Sequence, residues 1–497
     1  IPLLAKDRGE SDPIVMGGGP CSYNPEPIAD FFDFFYIGEG EIRYREILDI
    51  YKENKKNGGG RVDFLKKICS LQGIYVPRFY DVAYCEDGRI ASMAPSIPEA
   101  PERITKNIVT DFDGVPYPLK PVVPFIKCTQ DRVVLEIQRG CIRGCRFCQA
   151  GQLYRPVREK NVDRLKSYAT EMLKNTGYDE ITLSSLSSSD YSELQELVDY
   201  LIEDCGEKKV NISLPSLRID SFSLDVMSKV QDVKKSSLTF APEAGSQRLR
   251  NVINKGLTEE DILRGAGLAF EGGWTRVKLY FMLGLPTETK EDIQGIGDLA
   301  NKIATVFFDT VPKEKRREPV QIVASTSFFI PKPFTPFQWA PMCSAEEFLD
   351  KAHETKQGIM SQLNQKRIKY NWHEADVSVL EGVFARGDRR VAQVILKAYE
   401  KGCMFDAWSE YYDNALWMEA FEECGVSIDF YNTRTRKKDE IFPWDILDCG
   451  VSREHLWREW EKAQREIISP NCRMECSGCG AAKYGCGVCV EEKRLSE

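Results

Sequence analysis

Residues 133–148 read Val133-Val-Leu-Glu-Ile-Gln-Arg-Gly-Cys141-Ile-Arg-Gly-Cys145-Arg-Phe-Cys148. The first six residues are rich in β-branched side chains and end at Arg-Gly, so they predict a strand that runs into a loop. The loop carries three cysteines in C-x3-C-x2-C spacing. Three thiolates can hold three irons of a 4Fe-4S cube and leave the fourth without a protein ligand. Zinc and merely buried thiols are the alternatives, but three cysteines make an incomplete tetrahedral set, and the next cysteine, Cys205, has no local partner.

The sequence after this loop alternates predicted strands and helices. Apolar or β-branched runs lie near 179–184, 210–214, 236–241, 276–282 and 321–328. Helical periodicity separates them at Val162–Lys174, Tyr191–Asp204, Ser221–Val230, Thr258–Phe270 and Lys290–Phe307. Repeated βα units predict a parallel sheet, and α/β barrels place their active sites at the carboxyl ends of the strands.

The cysteine spacing, with Phe147 before the last cysteine, resembles that of the radical SAM superfamily. The strings Ala-Pro-Glu-Ala-Gly-Ser at 241–246 and Gly-Leu-Pro-Thr-Glu-Thr at 284–289 resemble the branch that contains methylthiotransferases and cobalamin-dependent enzymes. The resemblance implies an α/β fold with a partial (β/α)6 barrel over 129–342 and a 4Fe-4S cluster with an open iron. S-adenosylmethionine (SAM) would bind that iron, and one electron would release a 5′-deoxyadenosyl radical.

Polar residues at the predicted strand ends are candidate contacts for SAM. Ser185, Ser187 and Asp190 follow the second strand and either bind the cofactor or cap the next helix. Arg218 follows the third strand and either pairs with the SAM carboxylate or makes a surface ion pair. Glu243 ends the fourth and either contacts SAM or substrate or favours a helix start. The cofactor-binding candidates are therefore Phe147, Ser185, Ser187, Asp190, Arg218 and Glu243.

Four arginines surround the cysteine loop. They either tune the cluster potential or attract an anionic substrate, and the sequence leaves both roles open. These residues are Arg143, Arg146, Arg155 and Arg158.

A second cysteine-rich segment lies near the C-terminal end. Cys472, Cys476 and Cys479 repeat the C-x3-C-x2-C spacing, and Cys486 and Cys489 follow as C-x2-C. Five cysteines within eighteen residues predict a second metal centre. Two C-x2-C pairs can hold zinc, although the six-residue gap between them is short for zinc pairs. We favour an auxiliary 4Fe-4S cluster that uses four of the five cysteines.

The N-terminal segment resembles part of a Rossmann-like, cobalamin-binding-type module whose first half is expected upstream of Ile1. The only histidines, His353, His373 and His455, lie beyond the barrel, so the visible part of this module offers cobalt no axial histidine. We favour a degenerate module, with cobalamin bound without a protein axial ligand as the alternative. The predicted divisions are a truncated module (1–75), a linker (76–128), the barrel (129–342), a mostly helical domain (343–468) and a Cys-rich metal-binding tail (469–497).

Composition and charge restrict the partners of this 497-residue chain. Its formal net charge of −9 gives no overall attraction to nucleic acid. Basic clusters at 366–370, 386–390 and 433–438 adjoin aromatic residues and can hold an RNA backbone, or they are solvated helix faces. The 17 cysteines and the lack of an apolar run of about 20 residues predict a reducing cytoplasm and no membrane span.

The favoured hypothesis is a radical SAM enzyme that methylthiolates or methylates tRNA or rRNA and takes electrons from a flavodoxin or ferredoxin. A radical SAM enzyme acting on a small molecule or peptide is the first alternative. A non-catalytic iron-sulfur scaffold or electron-transfer protein is the second. The sequence carries no signal for an oligomeric state.

Overall fold

The computed structural model describes residues 1–206, 210–214, 219, 238–316 and 318–490. The chain divides into two compact units. The first comprises residues 1–109, 329–348 and 374–457, and the second comprises 110–328, 349–373 and 458–497. The sequence analysis expected consecutive segments, whereas the structure divides the expected helical domain, 343–468, between the two units. The Cys-rich tail belongs to the same unit as the cysteine loop.

The strands and α-helices of the described chain have the following bounds. The strands are β1 (Met16–Gly17), β2 (Phe34–Tyr36), β3 (Ile74–Tyr75), β4 (Tyr80–Tyr84), β5 (Ile90–Pro95), β6 (Ile104–Thr105), β7 (Val133–Glu136), β8 (Gln138–Arg139), β9 (Arg158–Glu159), β10 (Glu180–Ser184), β11 (Asn211–Ser213), β12 (Leu238–Glu243), β13 (Arg276–Leu283), β14 (Gln321–Phe328), β15 (Ile368–Trp372) and β16 (Leu447–Asp448). The α-helices are Tyr44–Lys56, Arg61–Ile68, Gln149–Leu153, Val162–Thr176, Leu194–Gly206, Gln247–Val252, Glu259–Glu271, Lys290–Thr310, Ala345–Met360, Ala375–Arg386, Val391–Glu400, Asn414–Glu423, Ile428–Tyr431 and Arg453–Gln464.

Two parallel sheets form the α/β barrel of the second unit. One has the order β11-β10-β7 and the other β12-β13-β14-β15. Leu135, Ile181 and Leu183 are fully buried against Leu165 and Ala169 of the following helix. Branched apolar residues on both strands thus cover the apolar face of an amphipathic helix, which is the packing that a βα repeat requires.

The strands expected from the sequence are present among the described residues, and each lies within two residues of its expected position. The expected helix Ser221–Val230 lies outside the described residues. Strand β15 was not predicted, because Lys369, together with Lys366 and Arg367 before the strand, led residues 366–370 to be interpreted as a basic cluster. Ile368, Tyr370 and Trp372 alternate with polar residues, which is the period-two signal of a strand.

The first unit contains small sheets and several helices. Its sheet has the order β1-β2-β3, with β1 and β2 parallel, and β4 and β5 form an antiparallel hairpin. Phe35 and Tyr75 are completely buried in it. Among the described residues, no helix combines the length and the apolar character that a bilayer span requires.

Candidate metal and cofactor site

The cysteine loop begins where the chain leaves β8. Gly140 has a φ of +86°, and a Cβ there would lie 2.7 Å from the carbonyl oxygen of Tyr154. Cys141 Sγ accepts the Arg143 N–H at 3.4 Å, and Cys148 Sγ accepts the Gly151 N–H at 3.3 Å. Burial, followed by the neighbouring thiol of Cys145, raises the pKa of Cys141 to about 12 and also raises that of Cys148. The loop therefore gathers three mutually interacting thiols and directs backbone donors at two of them.

The donor chemistry of the loop fits an iron-sulfur cube. No three His, Cys, Asp or Glu side chains in the described part of the chain are arranged around a single metal ion. An arrangement around one ion is that of a mononuclear site, whereas the thiolates that hold a cube bind different irons. Three thiols with N–H donors to sulfur are the groups that hold and tune such a cube. Each thiol has to lose its proton when it binds iron.

Arg146 anchors the loop from inside the second unit. Its side chain is fully buried, and its Nε and a terminal nitrogen donate to Glu459 Oε2 at 3.2 and 3.1 Å. It also donates to the carbonyl oxygens of Val252 and Ile467 at 2.9 and 2.6 Å. Burial acts to raise the pKa of Glu459, but Lys462, Arg146 and Ser469 outweigh it and hold that pKa below its usual value. Arg146 is thus a structural member of an ion pair.

Arg143 brings the predicted SAM contacts of the second strand to the loop. Its guanidinium forms a two-pronged ion pair with Asp190, which also accepts the Ser187 hydroxyl at 2.7 Å. Ser185 Oγ accepts the Ser187 N–H at 3.2 Å and lies 3.0 Å from Ser188 Oγ. Ser187 and Asp190 are buried, and these contacts orient the loop. Their predicted contact with SAM remains a proposal.

Glu243 reaches the loop from the carboxyl end of β12. Its carboxylate pairs with Lys255 at 3.1 Å, and both charges act on the Cys148 thiol. Lys255 Nζ lies 5.9 Å from the ring centroid of Phe147. Glu243 has a φ of +68°, and non-glycine residues held in that region are strained and cluster at functional sites. Glu243 and Phe147 are thus brought together beside the cysteines, whereas Arg218 lies outside the described residues.

Asn254 is a loop contact that the sequence analysis missed. Its Nδ2 donates to the carbonyl oxygens of Gly144 and Ser469 at 3.1 and 3.2 Å, and its Oδ1 accepts the Ser469 N–H at 2.9 Å. Asn254 has a φ of +51°, a conformation that asparagine tolerates better than most residues. The Asn-Lys-Gly string at 254–256 was the available signal. The side chain joins the cysteine loop to the start of the tail.

The tail packs directly against the cysteine loop. The Cys472 N–H donates to the Ile142 carbonyl oxygen at 2.9 Å, and the Val488 N–H donates to that of Val157 at 3.0 Å. Ile142, Val157 and Val488 form one apolar cluster that Cys472 adjoins. Gly487 has a φ of +69°, and a Cβ there would lie 2.0 Å from the Val157 oxygen. The two cysteine sets therefore meet through backbone contacts.

Three tail thiols lie within electrostatic reach of a fourth, that of Cys489. Burial, then the thiols of Cys479, Cys472 and Cys476, raise the pKa of Cys489 to about 11, while Arg155 lowers it. Cys479 is buried, and Cys476 is exposed. Cys486 is also buried and follows the short helical turn Ala481–Tyr484.

The arginines of two of the three predicted basic clusters have partners within the first unit, whereas Lys437 and Lys438 are exposed. Arg386 is fully buried and donates to the Ala340 carbonyl oxygen, and Arg389 pairs with the buried Glu26 at 3.1 Å. Burial lowers the pKa of Arg436 to about 10, and Arg434 pairs with Glu440. Neither the RNA-binding interpretation nor the solvated-face alternative describes these arginines, because their partners lie inside the unit.

The third basic cluster stays exposed. Lys366, Arg367 and Lys369 line a cleft of about 1220 Å³ at the amino ends of β13, β14 and β15. Arg276 lies in the same cleft. The cysteine loop follows a strand's carboxyl end, so this cleft opens at the opposite end of the barrel. The eight residues of β13 separate the two ends by about 26 Å at about 3.3 Å per residue.

Comparison with known proteins identifies the family. The model of the Radical SAM superfamily matches residues 135–300, and that of Radical SAM proteins, N-terminal, matches residues 1–77. An uncharacterized protein of Methanocaldococcus jannaschii is 31% identical over 395 residues, which are 79% of this chain and 76% of that protein. The chain belongs to the radical SAM superfamily. It is a radical SAM enzyme, and its fold implies a 4Fe-4S cluster and SAM.

More distant relatives cover less of the chain. The threonylcarbamoyladenosine tRNA methylthiotransferase MtaB of Aquifex aeolicus is 23% identical over 216 residues, which are 42% of this chain and 50% of that enzyme. The structure of the radical SAM methyltransferase TsrM from Kitasatospora setae, with cobalamin and a [4Fe-4S] cluster bound, has a TM-score of 0.45. It is 12% identical to this chain and covers 83% of each chain.

Proposed function

We propose that this enzyme binds a 4Fe-4S cluster through Cys141, Cys145 and Cys148 and uses it to cleave SAM reductively. The observation that carries this proposal is the set of three thiols on one loop, in a chain of the radical SAM superfamily. When bound, the cluster and SAM supply a 5′-deoxyadenosyl radical. Arg146 and Asn254 hold the loop in place, and Arg143 orients it against Asp190.

The strand ends beside the loop offer groups for SAM. Asp190, with Ser187 and Ser185, is linked to the loop through Arg143, and Glu243 pairs with Lys255, whose Nζ lies 5.9 Å from the Phe147 ring centroid. Lys255 adds a cation that the sequence analysis did not consider. We propose that this ring of groups orients SAM and that its ion pairs rearrange when the cofactor binds.

The tail is proposed as a second metal centre. The thiols of Cys479, Cys472 and Cys476 all act on that of Cys489, which supports a shared four-thiolate centre, and we favour 4Fe-4S over zinc. Four of the five tail cysteines, a set that also includes Cys486, are expected to be ligands. The visible part of the N-terminal module contains no histidine, and we derive no step through cobalamin.

RNA is the proposed substrate class, modified by methylthiolation or methylation. Its support is the exposed basic cleft and the tRNA methylthiotransferase among the relatives. The cleft lies about 26 Å from the carboxyl end of the barrel. This distance suits a substrate that is longer than the barrel. The cleft would bind the phosphate backbone of the RNA, while the reacting base lies at the carboxyl end.

Reductive cleavage is tested first. Anaerobically reconstituted protein, treated with dithionite and SAM, is expected to accumulate 5′-deoxyadenosine, and the C141A/C145A/C148A variant is expected to form none. Equal product from both proteins, or none from an iron-loaded wild type, would overturn the proposal.

RNA binding is tested separately with the reconstituted wild type. Total tRNA and rRNA fragments are expected to shift in a gel at low salt, more weakly as salt rises. Exchanging Lys366 and Lys369 for alanine is expected to weaken the shift, while Lys302→Ala, another exposed lysine, serves as the control. No shift at low salt would remove RNA as the substrate and leave SAM cleavage untouched.

A further inference from the structure

Arg155 differs from Arg143 and Arg146 in the groups that its guanidinium contacts. It is 97% buried, with 3% of its surface exposed. Its Nε donates to the Gly151 carbonyl oxygen at 3.1 Å, and a terminal nitrogen donates to that of Arg143 at 3.2 Å. Both acceptors belong to the loop and to the helix that follows it. The guanidinium is therefore held at the base of the first cysteine set.

The same guanidinium faces the second cysteine set. One of its terminal nitrogens donates to the carbonyl oxygen of Arg143, the residue after Ile142, whose carbonyl oxygen accepts the Cys472 N–H, and its charge acts on Cys472, Cys479 and Cys141. Burial acts to lower the pKa of Arg155, but the thiols of Cys472, Cys479 and Cys141 outweigh it and raise that pKa. One buried cation thus acts on thiols of both sets.

The other anchoring arginines differ in their partners. Arg143 pairs with Asp190, and Arg146 pairs with Glu459. Those carboxylates offset the arginine charges locally, which weakens the action of either charge on a cluster. The charge of Arg155 acts on the thiols of Cys472, Cys479 and Cys141. A metal centre bound by these thiolates would carry net negative charge.

The backbone fixes the distance between the two sets. Cys472 is itself the donor to Ile142, which is the residue after Cys141. The apolar contact of Val488 with Ile142 and Val157 holds the other end of the tail on the same surface. Metal centres on these two sets would therefore be neighbours, with Arg155 beside both.

We propose that Arg155 is the shared counter-ion of the two metal centres, so that the charge on the tail centre sets the reduction potential of the loop cluster. This inference rests on the proposed tail centre. The redox step is the transfer of one electron from dithionite to the loop cluster, which lowers its core charge from 2+ to 1+ without making or breaking a bond. A buried cation favours the more negative reduced form, so it raises the potential.

The test is a redox titration of the reconstituted full chain, followed by EPR, after iron, sulfide and zinc per chain have been measured. Arg155→Gln is expected to lower the reduction potential of the loop cluster by about 59 mV, which is a tenfold change in the equilibrium constant for one-electron reduction. Arg155→Lys keeps the cation and is expected to retain most of the potential. Lys160→Met is the matched control, because it removes a buried cation whose Nζ donates to the Phe112 carbonyl oxygen.

A second variant separates charge sharing from folding defects. Exchanging the four tail cysteines for alanine leaves Arg155 and the loop cysteines intact, and it is expected to raise the loop-cluster potential because a nearby negative centre is gone. An unchanged potential in this variant would overturn the proposal, even if Arg155→Gln loads no iron. An equal shift in Lys160→Met would do the same. A wild type that holds metal only at the loop would instead refute the tail centre, and the metal counts reveal this before any titration.

Discussion

The ion pair between Arg146 and Glu459 should control the stability of the cysteine loop. Exchanging Glu459 for leucine leaves the guanidinium of Arg146 completely buried without its carboxylate partner. Breaking a buried pair in this way costs about 3–5 kcal/mol. Because Arg146 also donates to three backbone carbonyl groups, its side chain cannot leave the site without further loss.

Amide hydrogen exchange is the suitable assay, since a chain of two units need not unfold in one step. The Arg146 N–H donates to the Ile253 oxygen and the Cys472 N–H to that of Ile142, so both amides report opening of the loop. A cost of about 3–5 kcal/mol corresponds to exchange that is faster by about two to three and a half orders of magnitude.

Two further variants make this prediction specific. Lys302→Met breaks an exposed ion pair with Glu259. It should change the free energy of opening at these amides by less than about 1 kcal/mol. The double variant Arg146→Met/Glu459→Leu replaces both charges by apolar groups and should recover part of the protection. Unchanged exchange in Glu459→Leu, or equal exchange in the Lys302 variant, would refute the reasoning.

Three other outcomes are expected. The C141A/C145A/C148A variant should lose iron and sulfide from the loop while retaining the tail metal, as counted by metal and sulfide analysis. Gly140→Ala should abolish loop iron because its Cβ would meet the Tyr154 oxygen, whereas Gly177→Ala, also at positive φ but with open space, should keep it. Asp292 has a lowered pKa because hydrogen bonds from Arg248, Ser246 and Thr289 outweigh burial, so its stabilising contribution is present above its unfolded pKa of about 3.9 and lost as pH falls through the lower folded value. Asp292→Asn should remove that pH dependence, measured by exchange at the Thr289 amide.

Local patterns predicted the parts of the fold that depend on local chemistry. The strand before the cysteine loop and the helix predicted at Val162–Lys174 follow from local sequence patterns, and the structure extends that helix to Thr176. The cysteine spacing predicts the proposed metal site because its three cysteines lie within eight residues. Strand β15 was missed because Lys369 and the basic residues just before the strand were interpreted as a basic cluster, and the alternation of apolar and polar residues was not considered.

Long-range contacts explain what the sequence could not predict. Arg389 pairs with Glu26, 363 residues earlier in the chain, and Arg146 pairs with Glu459, 313 residues later. A run of basic residues looks the same whether its partners are solvent, RNA or buried carboxylates. The docking of Cys472 on Ile142 likewise leaves no signal in either segment, since a backbone hydrogen bond does not depend on side-chain identity.

The open iron is tested most directly by the EPR spectrum of the dithionite-reduced protein with and without SAM. The tail cysteines are exchanged for alanine in this experiment, so that the loop cluster alone is observed. The account predicts a spectrum that changes when SAM is added, because the cofactor binds the iron without a protein ligand. An iron-loaded protein whose spectrum is identical in both conditions would contradict it.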